Sequence, residues 1–304
     1  METNSEFPNL GDNIEILKKI REGGFGAIYL AQDSSLNLEV AIKVDKNPLF
    51  DRLSHEICFY KHLRKDPSYS EHFPKYHYAV EEKLEDFMVI EYMGMNLHQL
   101  LKLCGGKFTL KTVLMIADQM LECIQFLHSK GVLHRDIKPD NFVIGREEKS
   151  NRIYLIDFGS ADFYLDSNGE HFDWGEMPMI ATLYFASVHN HLWRRPVRRD
   201  DLESIGFCLC YFLKGKLPWH DVPKGNLCEL EYGIRYIKFN SIESVYENLP
   251  EEFEIYCKYC RKLGFFEDPD YEFLRGIFKK LFIKQGFEFD DKYDWEPILK
   301  IKNK

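Results

Sequence analysis

The apolar pattern of the chain changes near residue 95, and this change constrains the fold more than any other feature. Before it, four segments are strand-like, with alternating or continuous apolar residues: IEILKKI, GAIYLAQD, LEVAIKVD and DFMVIEYM. A helix interrupts them, and one of its faces carries Leu49, Leu53, Ile57 and Tyr60. After residue 96 the spacing becomes helical in KTVLMIADQMLECIQFLHSKG, which Gly131 ends, and in DDLESIGFCLCYFLKG, which an Asp begins and Gly215 ends. We predict an α+β fold in which a small β-rich half precedes a larger, mainly α-helical half, with the joint at residues 91–95.

Composition narrows the classes of function. The 304 residues carry a formal net charge of -9, which disfavours a global nucleic-acid binder. No segment has the ~18–20 uninterrupted apolar residues of a membrane helix, and the acidic N-terminus does not resemble a secretory signal. We therefore expect a cytoplasmic or nuclear monomer. Cys257 and Cys260 form CKYC, which indicates either half of a zinc site or reduced thiols on a helix. We expect thiols, because no second Cys/His pair is suitably placed.

Three glycines lie between two strand-like segments in IREGGFGAIYLA: Gly23, Gly24 and Gly26. Glycines there let backbone amides approach phosphate oxygens, although an ordinary hairpin turn would also use them. Lys43 closes the VAIK strand, and Glu56 follows 13 residues later within the predicted helix. A lysine held by such a carboxylate can contact nucleotide phosphates, and the order of glycine loop, Lys and Glu favours that function over a solubilising lysine.

The stretch HRDIKPDNF contains groups suited to phosphoryl transfer. Asp136 can accept a proton from an attacking hydroxyl, and Lys138 can neutralise charge on the transferred group. Asn141 offers a carbonyl oxygen to a divalent cation, as does the carboxylate of Asp157 in the following IYLIDFGSA. A solvated turn is the alternative for HRDIKPDNF alone. The joint spacing of these residues after Lys43 and Glu56 favours a phosphotransferase.

With these residues the chain resembles a eukaryotic protein kinase, and specifically the casein kinase 1 family. The closer resemblance rests on HRDIKPDNF, VRRDDLESIGF, GKLPWHDV, CRKLGFFEDPDYEFLRGIFKKLF and QGFEFDDKYDW. In place of the Ala-Pro-Glu motif of other kinases stands ATLYFASVHNHL, which is similar to the GTARYASIN segment of that family. The resemblance covers roughly residues 12–297 and favours this family over the vaccinia-related kinases.

The resemblance implies a bilobal protein-kinase-like fold: an N-lobe at 12–90, a hinge at 91–95, a C-lobe at 96–297 and a short tail at 298–304. It implies a serine/threonine kinase that uses ATP with Mg²⁺, or Mn²⁺, and acts on protein substrates. Asp136 would be the catalytic base, Lys138 the charge stabiliser, and Asn141 and Asp157 the metal ligands. Asp201 and Gly206 would belong to the helix that holds the catalytic loop. The ATP site would comprise Ile20, Gly23, Gly24, Gly26, Ile28, Ala41, Lys43, Glu56, the gatekeeper Ile90, and Glu91 and Met93 of the hinge.

Three departures from the family pattern bear on ligand binding: the first on the grip of the nucleotide, and the other two on substrate choice. Arg21 replaces the first glycine of the loop, and Leu183 stands where the family has an arginine. The segment 160–187, called here the acidic segment, has no Lys or Arg and contains Asp162, Asp166, Glu170, Asp173 and Glu176. It precedes WRRPVRRDD, whose four arginines form either a docking patch for anions or internal ion pairs with the acidic segment.

Two other functions are possible for such a chain. A non-catalytic scaffold would usually lack Lys43, Asp136 or Asp157, and all three are present. A small-molecule phosphotransferase can share the H-x-D-x-x-x-x-N loop, but the long helical region after DDLES argues against it.

Overall fold

The computed structural model describes residues 10–23, 26–45, 52–80 and 86–302. The chain divides into two compact units at Gly94 and Met95. The first unit precedes this boundary and also includes Asp157–Gly159, and the second contains the remainder. Strands dominate the first unit and helices the second, so the predicted α+β class is confirmed.

The first unit is a five-stranded antiparallel sheet in the order β1-β2-β3-β5-β4, with one helix. Its strands are β1 (Ile14–Glu22), β2 (Gly26–Asp33), β3 (Leu38–Asp45), β4 (Tyr76–Val80) and β5 (Phe87–Glu91), and its helix is α1 (Arg52–Leu63). One face of the sheet carries a buried cluster of Leu10, Ala31, Val40, Ile42, Phe87 and Val89. The β3 residues that alternate with Val40 and Ile42 therefore point to the opposite face of the sheet. β4 was not predicted, and Leu49 of the predicted helix lies outside the described residues.

Eight helices lie in the described part of the second unit: α2 (Leu97–Leu103), α3 (Leu110–Ser129), α4 (Arg198–Lys214), α5 (Leu227–Asn240), α6 (Glu243–Tyr246), α7 (Glu251–Lys262), α8 (Tyr271–Lys284) and α9 (Glu296–Lys302). Two short antiparallel pairs join β6 (Val132–Leu133) to β9 (Asp162–Phe163) and β7 (Phe142–Ile144) to β8 (Ile153–Leu155). The apolar face of α3 packs against α4 and α8, and α4 also packs against α7.

The ends of α3 and α4 agree with their sequence signals. Gly131 and Gly215 adopt positive φ angles of 74° and 75° just beyond these helices, a conformation that glycine adopts without strain. The start of α4 was predicted two residues late. The helix begins at Arg198, and Asp200 on its first turn accepts the N–H of Val197 at 2.7 Å. The aspartate therefore caps the helix from inside rather than preceding it.

Cys257 and Cys260 are buried on α7 beside α4, which carries the buried Cys208 and Cys210. Among the residues that the structure describes, no group of three or more His, Cys, Asp or Glu side chains is arranged to hold a metal ion. In the same residues, no helix combines the length and apolar character that crossing a membrane requires.

Candidate active site

Lys43, Glu56 and Asp157 come together in the first unit. The Lys43 ammonium forms an ion pair with Glu56 Oε2 on α1 and lies 3.2 Å from Asp157 Oδ1. Burial alone would lower the pKa of Lys43, but the two carboxylates more than compensate and raise it above its ordinary value. The ammonium therefore stays charged at neutral pH. Because the chain fixes it with two carboxylates, Lys43 presents a positioned cation on β3.

The packing of the next residue, Phe158, fixes the position of Asp157. Phe158 is fully buried, and its ring meets Tyr60 and Phe73 edge-on at centroid distances of 5.0 and 5.3 Å. Asp157 itself has a φ of 71°, an uncommon left-handed conformation for a residue other than glycine. The packing of Phe158 holds this conformation and directs the carboxylate toward Lys43.

Four predicted ATP-site residues share one face of the sheet. Ile28 pairs with Lys43 across β2 and β3, and Ala41 pairs with Ile90 across β3 and β5. Directly opposed residues point to the same face, and so do positions 41 and 43 of one strand. This face lies opposite the buried cluster. Ile20 differs, because it lies at an irregularity of the β1–β2 pairing and is 43% exposed.

The glycine-rich turn is described at its two ends. Gly23 donates its N–H to the carbonyl oxygen of Gly26 at 2.9 Å. A Cβ on Gly26 would lie 2.4 Å from the carbonyl oxygen of Val44, so the close approach of β2 to β3 requires glycine there. Gly24 lies outside the described residues.

The predicted hinge residues follow Ile90, the predicted gatekeeper, at the end of the sheet. Glu91 ends β5 and accepts the N–H of Lys75 at 3.1 Å through Oε2. Met93 is half-buried in the irregular stretch between β5 and the boundary of the units.

In the second unit, Asp136, Lys138 and Asn141 form one hydrogen-bonded loop. Lys138 Nζ donates to Asp136 Oδ2 at 2.5 Å, and Asn141 Nδ2 donates to the Asp136 carbonyl oxygen at 2.9 Å. The Oδ1 atom of Asp136 accepts both the hydroxyl of Thr182 at 2.7 Å and its N–H at 3.0 Å. Lys138 also donates to Thr182 Oγ1 at 3.2 Å. The carboxylate is thus held in one orientation by donors on both oxygens.

Thr182 was not predicted as a site residue. Its only sequence signal is its place in ATLYFASVHNHL, the segment that is similar to GTARYASIN. It lies 46 residues after Asp136, so the spacing alone does not connect the two.

Asp201 holds the start of the same loop, as the resemblance implies. Its carboxylate accepts the N–H groups of His134 and Arg135 at 2.8 and 2.9 Å, and lies 3.0 Å from His128 Nε2. Burial alone would raise the pKa of Asp201, but the hydrogen bonds and charges of the histidines and the backbone lower it overall. Asp201 is therefore a buried carboxylate stabilised in its charged form.

Arg135 connects this loop to the acidic segment. Its guanidinium donates to the carbonyl oxygen of Ser160 at 2.6 Å and pairs with Asp162 at 2.9 Å. Asp162, one of the five acidic side chains, thus pairs with an arginine of HRDIKPDNF and not with one of WRRPVRRDD.

The arginines of WRRPVRRDD mainly contact other parts of their own unit. Arg198 lies 4.7 Å from the Tyr164 ring centroid and forms an ion pair with Asp268, and Arg199 donates to the Leu263 carbonyl oxygen at 2.5 Å. Arg195 stacks on Phe172 with 5.3 Å to the centroid. Internal contacts are therefore present, but the charged partner Asp268 lies outside the acidic segment.

Each of the two units presents its own set of charged groups. The first presents a charged lysine held by Glu56 and Asp157, on a sheet that carries a glycine-rich turn. The second presents a fixed carboxylate with an adjacent ammonium, which can accept a proton and neutralise charge. In a comparison with known families, the model described as "Protein kinase domain" matches residues 14–263.

Proposed function

The chain belongs to the protein kinase family, and on that premise we propose that it is a serine/threonine kinase of the casein kinase 1 type. It transfers the γ-phosphoryl group of ATP to hydroxyl groups of proteins. The network of Asp136, Lys138 and Thr182 carries this proposal, because it supplies a fixed carboxylate with an ammonium beside it. The motifs HRDIKPDNF and VRRDDLESIGF support the casein kinase 1 type.

In the proposed reaction, the substrate hydroxyl oxygen attacks the γ-phosphorus and the bond to the β,γ-bridging oxygen breaks, so that ADP leaves. The hydroxyl proton passes to Asp136. The Oδ1 atom already accepts two hydrogen bonds from Thr182, which use both of its lone pairs. Oδ2 accepts Lys138 strongly and Asn141 only at 3.5 Å, so Oδ2 is the oxygen suited to the incoming proton.

The residues proposed for the metal fit a hard cation. Asn141 donates its amide nitrogen to the Asp136 backbone, which leaves the amide oxygen to serve as a ligand. The Asp157 side chain is 42% exposed and offers carboxylate oxygen, the donor that Mg²⁺ and Mn²⁺ prefer. The cation would neutralise phosphate charge when bound. A monomeric state and a cytoplasmic or nuclear location remain predictions.

The test is ATP turnover with and without a mixed-protein substrate, followed by identification of the phosphorylated amino acid. We expect turnover that depends on protein, and phosphoserine or phosphothreonine as product. Asp136→Asn should lower turnover about 10²–10⁴-fold while nucleotide still binds. Asp221→Asn, on an exposed surface ion pair with Lys216, is the matched control and should leave turnover unchanged.

Each other outcome would point to a different function. Nucleotide binding without turnover would indicate a scaffold. Turnover that does not depend on added protein would indicate a small-molecule phosphotransferase. Phosphotyrosine as the main product would contradict the serine/threonine assignment. Full activity of a folded Asp136→Asn variant would exclude the proposed base.

A further inference from the structure

Lys238 on α5 is a fully buried lysine whose ammonium is completely hydrogen-bonded. Its Nζ donates to the carbonyl oxygens of Leu183 at 2.9 Å and Ala186 at 2.6 Å, and lies 3.2 Å from His191 Nε2. An ammonium has three donors, and these partners account for all of them. Lysine is almost never fully buried without such partners.

The surroundings of Lys238 are aromatic. Its Nζ lies 4.6 Å from the ring centroid of Trp219 and 5.1 Å from that of Phe207, within the range of cation–π attraction. Burial lowers the pKa of Lys238 well below its ordinary value, the charge of Glu203 opposes this only in part, and Arg261 adds to it. Keeping a lysine here costs free energy that an apolar residue would not.

The carbonyl groups that Lys238 binds belong to the segment 182–186, called here the threonine turn. The turn closes on itself, because the N–H groups of Phe185 and Ala186 both donate to the Thr182 carbonyl oxygen at 2.9 Å. The indole of Trp219 donates to the Tyr184 carbonyl oxygen at 2.8 Å. Lys238 and Trp219 therefore fix three carbonyl groups of the turn.

The first residue of the threonine turn contacts the proposed catalytic base. Thr182 binds Asp136 through its hydroxyl and its N–H, and binds Lys138 through its hydroxyl. A displacement of the turn would therefore remove two of the hydrogen bonds that orient the Asp136 carboxylate. Lys238 does not touch Asp136, and any effect on it passes through Leu183, Ala186 and Thr182.

We propose that Lys238 is a positioning residue for phosphoryl transfer, which holds the threonine turn so that Thr182 orients Asp136. This inference rests on the proposed kinase function. Because Thr182 of the turn contacts Asp136, which accepts the proton of the substrate hydroxyl in the proposed reaction, the turn lies beside the position of that hydroxyl. Loss of the ammonium should then change protein-substrate handling and turnover, but not the nucleotide site around Lys43.

The experiment compares the full-length wild type with Lys238→Met, which keeps the length of the side chain and removes its donors. We expect kcat to fall by up to roughly 10²-fold, since misplacement of reacting groups by about 1 Å costs that much. KM for a peptide substrate should rise several-fold, and KM for ATP should stay within twofold. Lys258→Met is the matched control, because Lys258 is an exposed lysine of α7 paired with Glu254 and should change none of these constants.

Further measurements separate positioning from a purely structural role. A purely structural role would only reduce the fraction of active enzyme, so kcat per nucleotide-binding site would equal that of the wild type and both KM values would stay constant, and that result overturns the proposal. Lys238→Arg keeps charge and donors and should recover part of kcat and of the peptide KM. Hydrogen exchange in the threonine turn should be faster in Lys238→Met than in Lys258→Met, and equal rates would contradict the proposal.

If Lys238→Met does not fold, Trp219→Phe tests the other side-chain contact of the turn, because it keeps an aromatic ring beside Lys238 and removes the donor to Tyr184 together with part of the buried indole. It should raise the peptide KM and leave the ATP KM unchanged. If the wild type is active, unchanged kcat and unchanged peptide KM in every folded variant overturn the role of Lys238. An inactive wild type would instead refute the proposed kinase function.

Discussion

Asp201 accepts a 2.9 Å hydrogen bond from the backbone N–H of Arg135, whose own φ of 66° places it in the left-handed region. A long side chain in that region costs free energy and persists only where neighbouring groups hold it. The other oxygen of Asp201 accepts the N–H of His134 at 2.8 Å. One buried carboxylate of α4 therefore fixes the two residues that directly precede Asp136.

We predict that Asp201→Asn destabilises the protein and lowers turnover. Asparagine has one side-chain oxygen, so one of the two backbone N–H groups must lose its partner. A buried polar group left unpaired costs about 1–3 kcal/mol, and more where the lost partner was charged. Chemical denaturation measures this loss of unfolding free energy, and a turnover assay on the folded fraction measures the effect on Asp136.

Asp221→Asn provides the control for that comparison. Asp221 pairs with Lys216 at the surface, where both side chains are more than 60% exposed. Such pairs contribute about 0–1 kcal/mol. Equal unfolding free energies for the Asp201 and Asp221 variants would show that Asp201 does not support the loop.

The hydrogen bonds around Asp200, the neighbour of Asp201, favour its protonated form. The single hydroxyl hydrogen of Ser187 faces two acceptors, Asn190 Oδ1 at 2.6 Å and Asp200 Oδ1 at 2.5 Å. It can serve only one of them, so a protonated Asp200 that donates to Ser187 satisfies all three residues. Burial raises the pKa of Asp200 to about 7, although the hydrogen bonds and Arg199 oppose this rise.

We predict that this group makes the protein less stable as pH rises from about 4 to about 7. In that window the folded state retains the proton while the unfolded state, with an ordinary aspartate, releases it. The unfolding free energy that Asp200 contributes at low pH is therefore lost as the pH rises through the pKa of Asp200 in the folded state. A shift of about three pKa units corresponds to roughly 4 kcal/mol.

Asp200→Asn checks the prediction, because an amide can donate to Ser187 and accept from Val197 without titrating. We expect the unfolding free energy of the variant, relative to the wild type, to increase between about pH 4 and about pH 7. Parallel stability curves for the two proteins across this range would show that Asp200 does not carry the proton.

Short-range patterns predicted much of the fold and selected the candidate residues that the structure brings together. The strands around Lys43 alternate over eight residues, and the groups of HRDIKPDNF lie within nine residues, so local spacing already relates them. β4 was missed for a physical reason. It is an edge strand whose residues after Tyr76 are only half-buried, so its sequence YHYAV lacks a clear apolar alternation.

Contacts between distant residues could not be predicted in this way. Thr182 reaches Asp136 across 46 residues, and Arg198 reaches Asp268 across 70. Lys238 would be placed on the solvent side of a helix by its charge alone. Its burial depends on the carbonyl groups of the threonine turn, whose positions only the packing of the whole unit determines.

Arg135 leads to a prediction about phosphorylation. Its guanidinium is bound by the Ser160 carbonyl oxygen and by Asp162, so the acidic segment is already tied to the HRD stretch by its own carboxylate. Basal activity should therefore stay within about twofold after phosphatase treatment that mass spectrometry shows to be complete. Asp162→Asn, which neutralises that carboxylate, should lower activity, whereas Asp173→Asn in the exposed part of the segment should not. Loss of activity on dephosphorylation would show that a phosphate supplies the contact.

The last prediction concerns the choice of peptide substrate. The acidic segment carries five carboxylates, Leu183 stands where the resemblance leads one to expect an arginine, and like charges disfavour association. Arg198 and Arg199 are engaged with Asp268 and the Leu263 carbonyl oxygen, which removes two of the four nearby arginines as readers of anions.

We therefore expect weaker selection for phosphorylated or acidic peptides than the casein kinase 1 resemblance implies, together with tolerance of neutral and basic ones. A degenerate peptide library measures this preference directly. Strong enrichment of phosphoserine, Asp or Glu upstream of the acceptor would contradict it. In that case the double variant Arg194→Ala, Arg195→Ala identifies the cation that binds the anionic residue. Loss of the enrichment would assign this function to these two arginines. Persistent enrichment would assign it to a cation elsewhere, since Arg198 and Arg199 are held by their internal partners.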